Sequence, residues 1–336
     1  MKEPMVPCRN LWFLVGTCGS LYTMKIIKDL AQLNITEKTA VAIGKFDGLH
    51  LGHQKLLSRL IDQKKKGLKT VVITFDPPPE VYFGKSENKQ LLTAAEKEAM
   101  LIAMGVDLLF YFPMNEVNAA MTAEAFVDNI LLTKLNMAYI CAGEDLRFGA
   151  RGHEITTGDS AFILAMAEKR GFIAQIVAKM LLGEREISSS YIREALESTD
   201  MSLAAALLGR PYAFSGTVMG GNKLGRTLGF PTANLAIQEM KIKPPHGVYK
   251  SVVLTPFGEF AGISNIGIKP TIDGERRPGI ETHLYDFSED LYGETITVFL
   301  LAFIRPEMKF TDIDALKAQV EEDSMKNNSK ARKNRT

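Results

Sequence analysis

The sequence predicts an α/β protein in two parts: a doubly wound parallel sheet, then a small antiparallel β-barrel followed by a C-terminal helix. From about residue 39 to residue 177, short β-branched runs alternate with amphipathic helical stretches, the pattern of a parallel sheet covered on both faces. Beyond residue 209, Gly and Pro separate short strand-like runs, which is typical of small barrels. A chain of 336 residues is also longer than one ordinary core needs, which favours two domains.

The first part contains five short runs that are apolar at nearly every position, as buried parallel strands are. Helical stretches separate these runs. One helix has clear ends, because Thr93 and Glu96 form a capping box and Gly105 is a suitable stop. The five predicted strands are Ala40–Gly44, Thr70–Phe75, Asp107–Phe112, Ala138–Ala142 and Phe172–Val177.

The second part begins at a break, Gly209-Arg210-Pro211, which ends a helical stretch over residues 191–208. We expect a five-stranded barrel, one helix capped by Thr311, and a disordered basic tail. The predicted domains are residues 24–208 and 209–323, with residues 1–23 an extension outside the fold and residues 324–336 the tail. The predicted barrel strands are Tyr212–Val218, Gly247–Leu254, Glu259–Ser264, Ile280–Leu284 and Thr295–Arg305.

The charge balance points to small-molecule partners. With 40 basic and 39 acidic residues the formal net charge is +1, so long-range attraction to nucleic acid or to an anionic membrane is not built in. No feature calls for an obligatory protein partner. Three cysteines, Cys8, Cys18 and Cys141, form neither a dense disulfide framework nor a zinc-site spacing. We therefore expect a cytoplasmic protein.

The first predicted strand runs directly into Gly44-Lys45-Phe46-Asp47-Gly48-Leu49-His50-Leu51-Gly52-His53, after which an amphipathic helix begins. A Gly-rich turn at a helix start presents unpaired backbone N–H groups and the positive end of the helix dipole, both suited to phosphate oxygens. His50 and His53 lie three residues apart, on one face of the opening turn. The sequence therefore predicts a phosphate site that uses Gly44, Phe46, Asp47, Gly48 and Gly52 together with the two histidines.

The spacing of the two histidines is by itself weak, because a metal pair or two surface histidines would share it. A metal site would need a third ligand and a nearby carboxylate, whereas this turn carries the glycines of a phosphate cradle. We therefore favour phosphate binding.

A second cluster lies ahead of another helix, where Ser188, Ser189, Ser190 and Arg193 offer hydroxyls and a guanidinium. Serines before a helix are more often only caps. The pairing of this cluster with the His-Leu-Gly-His turn, however, resembles the nucleotidyltransferase superfamily. The resemblance implies that His50 and His53 contact the α-phosphate of ATP and that the second cluster holds the β- and γ-phosphates.

In the second part, residues 216–234 combine a glycine-rich loop with side-chain oxygens, without the Gly-Lys-Ser/Thr of a Walker loop. This composition indicates a loop that binds phosphates, and an ordinary barrel turn is the alternative interpretation. Thr232 and Asn234 offer neutral oxygens to Mg²⁺, a hard cation. The candidate nucleotide-binding residues here are Gly216, Gly220, Gly225, Arg226, Gly229 and Pro231.

Together with residues 265–271 and 281–287, this loop closely resembles the riboflavin kinase domain. With the two N-terminal motifs ahead of it, the chain from about Met24 to Val320 resembles the bifunctional bacterial riboflavin kinase/FMN adenylyltransferase family. The resemblance implies ATP as co-substrate, Mg²⁺ as cofactor, and riboflavin, FMN and FAD as substrate, intermediate and product.

The resemblance also implies residue roles. Glu281 would be the base that accepts the proton of the riboflavin hydroxyl, while His50, His53 and Arg193 would serve adenylyl transfer. Thr232 and Asn234 would hold the metal, and Asp145 and Arg147 would contact nucleotide. The flavin would meet Asn265, Gly267, Pro270 and Thr271.

Two positions depart from the family pattern. Pro78 stands where a histidine is common, and Leu146 stands where an aromatic residue is common. We therefore assign no catalytic role at position 78, and we expect altered packing near position 146.

Two rival readings remain at this point. A non-enzymatic flavin or nucleotide sensor would keep the binding loops, but it would not need Glu281 and both histidines. A tRNA-charging enzyme would share the N-terminal phosphate chemistry, but the chain shows no additional RNA-binding domain and no basic excess.

Overall fold

The computed structural model describes residues 23–149, 158–219, 232–270 and 276–308. Within them the chain forms two compact units that divide between Ser189 and Ser190. The predicted extension, the C-terminal helix and the tail lie outside the described residues, apart from residue 23 of the extension.

The first unit contains a six-stranded parallel sheet in the order β1-β4-β3-β2-β5-β6. All five predicted strands are present, but the predicted number was wrong, because Lys25–Ile27 adds a strand at the edge beside β4. Three residues carry too little periodicity to reveal a strand in sequence. The strands are β1 Lys25–Ile27, β2 Thr39–Ile43, β3 Lys69–Asp76, β4 Leu108–Pro113, β5 Met137–Gly143 and β6 Ile173–Val177. A separate antiparallel pair follows, β7 Leu181–Leu182 and β8 Arg185–Glu186.

Both faces of this sheet are covered, which confirms the doubly wound prediction. In β2, Val41 and Ile43 face the main core, and the alternating residues Ala40 and Ala42 are equally buried. The helices of the unit are α1 Leu51–Asp62, α2 Pro79–Tyr82, α3 Ala94–Ala103, α4 Glu116–Ala119, α5 Ala123–Ala125 with a π-helix Phe126–Lys134, and α6 Ser160–Arg170, with 3-10 turns at Leu30–Gln32 and Gln63–Lys66. The predicted capping box is present at the start of α3.

The strand order reverses at β2, because β3 lies on one side of it and β5 on the other. Ligands of open α/β sheets bind beyond the carboxyl ends of the strands at such a point. The turn that follows β2 and the turn that follows β5 therefore meet at the edge where this architecture places a site.

The second unit is a curled antiparallel sheet in the order β10-β13-β12-β11-β14-β9. Its two edge strands meet in a bridge between Met219 and Asn234, which brings the sheet close to a closed barrel. The prediction missed one strand here, Thr232–Ala236, because a Pro-Thr-Ala-Asn run reads as a loop. The strands are β9 Tyr212–Thr217, β10 Thr232–Ala236, β11 Gly247–Thr255, β12 Gly258–Pro270, β13 Arg276–Leu284 and β14 Thr295–Arg305.

The stretch predicted as one helix over residues 191–208 is two helices, α7 Ser189–Glu197 and α8 Met201–Leu208. Thr199 adopts a left-handed conformation at φ 60°, which a continuous helix cannot contain. Helix α8 packs against β14 and β9 of the barrel.

Candidate active sites

The turn after β2 is held in an unusual backbone conformation. Phe46 and Leu49 have φ values of 50° and 43°, and Gly48 has a φ of 81°. Bulky residues rarely adopt the left-handed region, and they persist there only where surrounding packing holds them. Phe46 and Leu49 are almost completely buried, so the core fixes the path of this turn.

The two histidines stand together at the start of α1. His50 is the N-cap, and its Nδ1 accepts a long hydrogen bond, 3.4 Å, from the backbone N–H of His53. The two rings stack with centroids 3.7 Å apart and an interplanar angle of 21°. Because Nδ1 of His50 accepts, its ring proton lies on Nε2, which is therefore a donor. The structure thus brings together the two histidines predicted to share one face.

Burial keeps the His53 ring neutral. Loss of solvent holds the pKa of His53 well below its ordinary value, and the electrostatic effects of His50 and Lys97 lower it further. The Nδ1 atom of His53 is buried without a hydrogen-bond partner among the described residues. A buried polar atom without a partner indicates a group that a bound ligand can satisfy.

The geometry gives no support to the metal reading of the histidine pair. Among the residues that the structure describes, no group of three His, Cys, Asp or Glu side chains is placed to hold a metal ion.

The predicted Ser-rich segment packs against this turn. Ser189 Oγ donates a hydrogen bond of 2.9 Å to the Asp47 carbonyl oxygen, and Asp47 Oδ1 accepts one of 2.7 Å from Leu91 N. Gly52 leaves room for the His50 ring, since a Cβ there would lie 3.1 Å from Cε1 of His50, closer than an ordinary contact. The two predicted motifs are thus joined at Asp47 and Ser189. Ser190 and Arg193 belong to the second unit, and their role stays a prediction.

A residue that the sequence analysis missed lies beside the turn. Lys97, in α3, is 7% exposed, and its Nζ donates a hydrogen bond of 3.0 Å to the Lys45 carbonyl oxygen. Thr74 Oγ1 donates to the same oxygen at 3.1 Å. A signal was present, because Lys97 stands three and four residues before Met100 and Leu101 and so falls on the buried stripe of its helix.

The turn after β5 occupies the neighbouring position. A Cβ at Gly143 would lie 2.8 Å from Asp145 Oδ1, so the Asp145 carboxylate folds back over the strand end. Arg147 is exposed and donates to Leu146 O at 2.6 Å. Leu146 is buried in the main core. Pro78 is the residue ahead of α2.

The barrel unit carries a row of polar residues on adjacent strands. Asn234 in β10 is directly opposite Glu281 in β13, and Glu281 is directly opposite Asn265 in β12. Directly opposite residues of antiparallel strands place their side chains on the same face. Thr232 Oγ1 donates a hydrogen bond of 2.9 Å to Glu281 Oε1. The structure therefore gathers the predicted base, the predicted metal ligands and one predicted flavin contact.

The opposite face of these strands is anchored by buried hydroxyls. Ser264 Oγ lies 2.8 Å from both Ser251 Oγ and Thr282 Oγ1, and all three residues are at most 1% exposed. Since Thr282 follows Glu281 and Ser264 precedes Asn265, this network fixes the strands that carry the row.

One feature supports a ligand near Asn265, because its Oδ1 is buried without a hydrogen-bond partner among the described residues. Gly267, two residues further along β12, is buried, and the carboxylate of Glu307 lies beside it, 2.0 Å from the position that a Cβ would take. Sequence analysis did not identify Glu307, which lies two residues after β14.

Several predicted residues lie outside this description. Gly216 is in β9, where a Cβ would make only an ordinary contact with Leu235. The side chain of Pro270 is not described, and the remaining residues lie outside the described ranges: Gly220, Gly225, Arg226, Gly229, Pro231 and Thr271. No helix in the described part of the chain is long and apolar enough to cross a membrane.

Comparison with known proteins matches each part to a family. The FAD synthetase family model matches residues 32–191, and the riboflavin kinase family model matches residues 208–330. A solved structure described as a macrolide-efflux protein from Streptococcus pneumoniae has a TM-score of 0.77 at 30% identity, covering 90% of this chain and 97% of that chain.

Curated relatives match along almost their whole length. The bifunctional riboflavin kinase/FMN adenylyltransferase of Buchnera aphidicola is 39% identical over 306 residues, covering 89% of this chain and 96% of the relative. The protein of the same description from Haemophilus influenzae is 37% identical over 304 residues, covering 89% of this chain and 97% of the relative. The chain belongs to the bifunctional riboflavin kinase/FMN adenylyltransferase family.

Proposed function

We propose that this chain makes FMN at the row of Asn234, Glu281 and Asn265, and makes FAD at the turn of residues 44–53. As a member of its family it is a bifunctional enzyme, which phosphorylates riboflavin with one ATP and then joins FMN to the adenylyl group of a second ATP, releasing pyrophosphate. The observation that carries the assignment of the kinase site is the register of the barrel, which sets three predicted residues side by side. The stacked histidine pair and the buried Nδ1 of His53 support the assignment of the adenylyl-transfer site.

In the kinase step, Glu281 accepts the proton of the riboflavin 5′-hydroxyl as that oxygen attacks the γ-phosphorus of ATP and ADP leaves. The hydrogen bond from Thr232 Oγ1 to Oε1 orients the Glu281 carboxylate. The fixed strands hold the base in place during the reaction.

The residues present fit Mg²⁺. A threonine hydroxyl and an amide oxygen are hard neutral ligands, and Mg²⁺ is usually held by few protein ligands together with substrate phosphates. Thr232 and Asn234 would hold the ion, because one contacts Glu281 and the other is directly opposite it. When bound, the ion would offset the negative charge of the phosphates.

In the adenylyl step, an FMN phosphate oxygen attacks the α-phosphorus of ATP. This nucleophile is already mostly ionised near neutral pH, so the site needs no general base and must instead align groups and stabilise charge. The Nε2–H of His50, the backbone N–H groups at the start of α1, and the neutral His53 ring can serve as donors. Gly52 keeps the space that the His50 ring needs.

Flavin recognition is assigned to Asn265 and Gly267. The buried Oδ1 of Asn265 can accept a hydrogen bond from an N–H or O–H of the flavin. Gly267 lies two residues after Asn265 in the same strand, so it is on the same face and presents no side chain to the ligand.

The remaining proposals concern the domain boundary, the binding partners and the cellular location. We place the domain boundary at residues 208/209, a position close to the start of the riboflavin kinase match at residue 208. The near-zero net charge supports small molecules as partners, with no nucleic acid, membrane or obligatory protein partner, and the use of ATP supports a cytoplasmic location. Membership in this family disfavours a non-enzymatic sensor or a tRNA-charging enzyme.

A complementation experiment tests the two sites. The variants Glu281→Gln and His53→Ala are each incubated with riboflavin, ATP and Mg²⁺, alone and mixed, and the flavins are separated by chromatography. We expect neither variant alone to make FAD at the normal rate. The mixture should make FAD, because FMN from one variant reaches the intact site of the other. A mixture as inactive as the double variant would contradict two independent sites.

A further inference from the structure

Lys97 is a buried cation that forms no ion pair with any residue that the structure describes. Its ammonium group makes one hydrogen bond among the described residues, to the Lys45 carbonyl oxygen at 3.0 Å. Burying an ammonium group without a close carboxylate destabilises a protein. Burial accordingly lowers the pKa of Lys97, although Asp47, Asp76 and Glu98 act in the opposite direction. Such a residue costs folding stability, so its presence calls for a functional explanation.

The surroundings of Lys97 indicate that function. Its hydrogen bond and that of Thr74 meet on Lys45 O, inside the turn that carries Phe46, Asp47 and the two histidines. Its charge also acts on His53. The other titratable group that acts on His53 is His50, and Asp47 and Asp76 act in turn on Lys97. Lys97 therefore bears on both the shape and the charge of the turn.

We propose that Lys97 is a positioning residue for adenylyl transfer, which holds the 44–53 turn through its hydrogen bond to the Lys45 carbonyl oxygen and places its charge near the His53 ring. The proposal rests on the proposed function, because it places adenylyl transfer at this turn. A neutral His53 presents one N–H and one lone pair, whereas a protonated ring would present two N–H groups and a charge. Loss of the Lys97 cation would alter the path of residues 44–46 and raise the pKa of His53.

The test compares Lys97→Met, which keeps an apolar stem of similar length, with Lys97→Arg, which keeps the charge and the donors. Lys69→Met is the matched control, because it removes the same charge from the same unit at an exposed ion pair with Glu37. For each full-length variant, one measures FMN-to-FAD conversion from pH 5 to pH 9, riboflavin phosphorylation, and the thermal unfolding temperature.

We expect Lys97→Met to lose about 10- to 100-fold in kcat/KM for FAD formation, the effect of one charge-assisted hydrogen bond. Riboflavin phosphorylation should be unchanged, and the unfolding temperature should be equal or higher, because a buried charge has been removed. The acid limb of the rate should move to higher pH, since the pKa of His53 rises without the neighbouring cation. Lys97→Arg should recover most of the activity, and Lys69→Met should resemble the parent.

Three outcomes would overturn the proposal. Unchanged FAD formation in Lys97→Met would show that the site does not need the residue. Activity and unfolding temperature falling together would show a structural role, and so would an acid limb that stays in place. The variant His53→Ala distinguishes failure of the Lys97 proposal from failure of the site assignment. If His53→Ala loses FAD formation and Lys97→Met does not, only the role of Lys97 is wrong. If His53→Ala keeps full FAD formation, the site assignment is wrong, and the proposal for Lys97 falls with it.

Discussion

Replacing Glu281 by Gln isolates the proton-accepting role of this residue from its packing. Glu281 Oε1 accepts a hydrogen bond of 2.9 Å from Thr232 Oγ1, and a glutamine amide still offers an oxygen for that bond. Its position between Asn234 and Asn265 in the sheet does not depend on charge. What the variant loses is a group that can take a proton.

The lost proton acceptor sets the expected fall in rate, and the retained hydrogen bond limits the expected fall in stability. A positioned general base contributes about 10²- to 10⁴-fold in rate, equivalent to about 3 to 5 kcal/mol of activation free energy. A hydrogen bond to a charged partner is worth about 1 kcal/mol more than a neutral one, so the free energy of unfolding should fall by no more than about that amount. The rate of phosphorylation should therefore fall far more than stability does.

Two assays on the same preparation compare the rate of FMN formation with the rate of FAD formation. FMN formation from riboflavin and ATP should fall at least about 100-fold, while FAD formation from supplied FMN should stay within about twofold of the parent. Glu289→Gln, an exposed position in the same unit, is the control and should change neither rate. If Glu281→Gln kept more than a tenth of the phosphorylation rate, or lost both activities equally, Glu281 would not be the base of a separate kinase site.

Three further predictions concern the first unit. His53→Ala should abolish FAD formation and leave phosphorylation intact, and normal FAD formation in this variant would contradict the site. Because burial first, and then His50 and Lys97, hold the pKa of His53 below its ordinary 6.5, the unfolded chain takes up a proton near that pH that the folded chain does not. The free energy of unfolding, measured in urea, should therefore be highest above pH 6.5 and fall as the pH drops below that value. This fall should be smaller in His53→Ala, and an equal fall in the variant and the parent would refute the prediction. Asp107→Asn should cost about 1 to 3 kcal/mol in urea unfolding without changing either activity, because Asp107 accepts hydrogen bonds from Lys64 Nζ, Thr70 N and Thr70 Oγ1; unchanged stability would contradict this.

The N-terminal site was predictable where the chemistry is local. A Gly-rich turn between a strand and a helix, with histidines three apart, needs no distant partner to be recognised, and the structure places His50 and His53 in contact as predicted. Lys97 was not predicted as part of the site, because it lies 52 residues from the carbonyl oxygen that it contacts. Its position on a buried helical stripe was a visible sign, but its target depends on how α3 packs against the turn.

In the barrel, too, the sequence indicated individual residues, and the tertiary structure decided how they are arranged. Glu281 and Asn265 were named from a family resemblance, yet their adjacency arises from the pairing of β12 with β13. Strand Thr232–Ala236 was missed because its composition is that of a loop, and it becomes a strand by pairing with β13. Tertiary pairing overrides weak local preference in such segments.

The sequence by itself determined the two-part α/β organisation, five of the six parallel strands, the capping box of α3 and the chemistry of both motifs, because periodicity, caps and turn residues act over a few residues. Only the tertiary structure decided that Ser189 meets Asp47, that Lys97 is buried beside the turn, and that Asn234, Glu281 and Asn265 form a row. The physical reason is that hydrogen bonds and desolvation depend on distances in space, and strand register and helix packing set those distances between residues far apart in the chain.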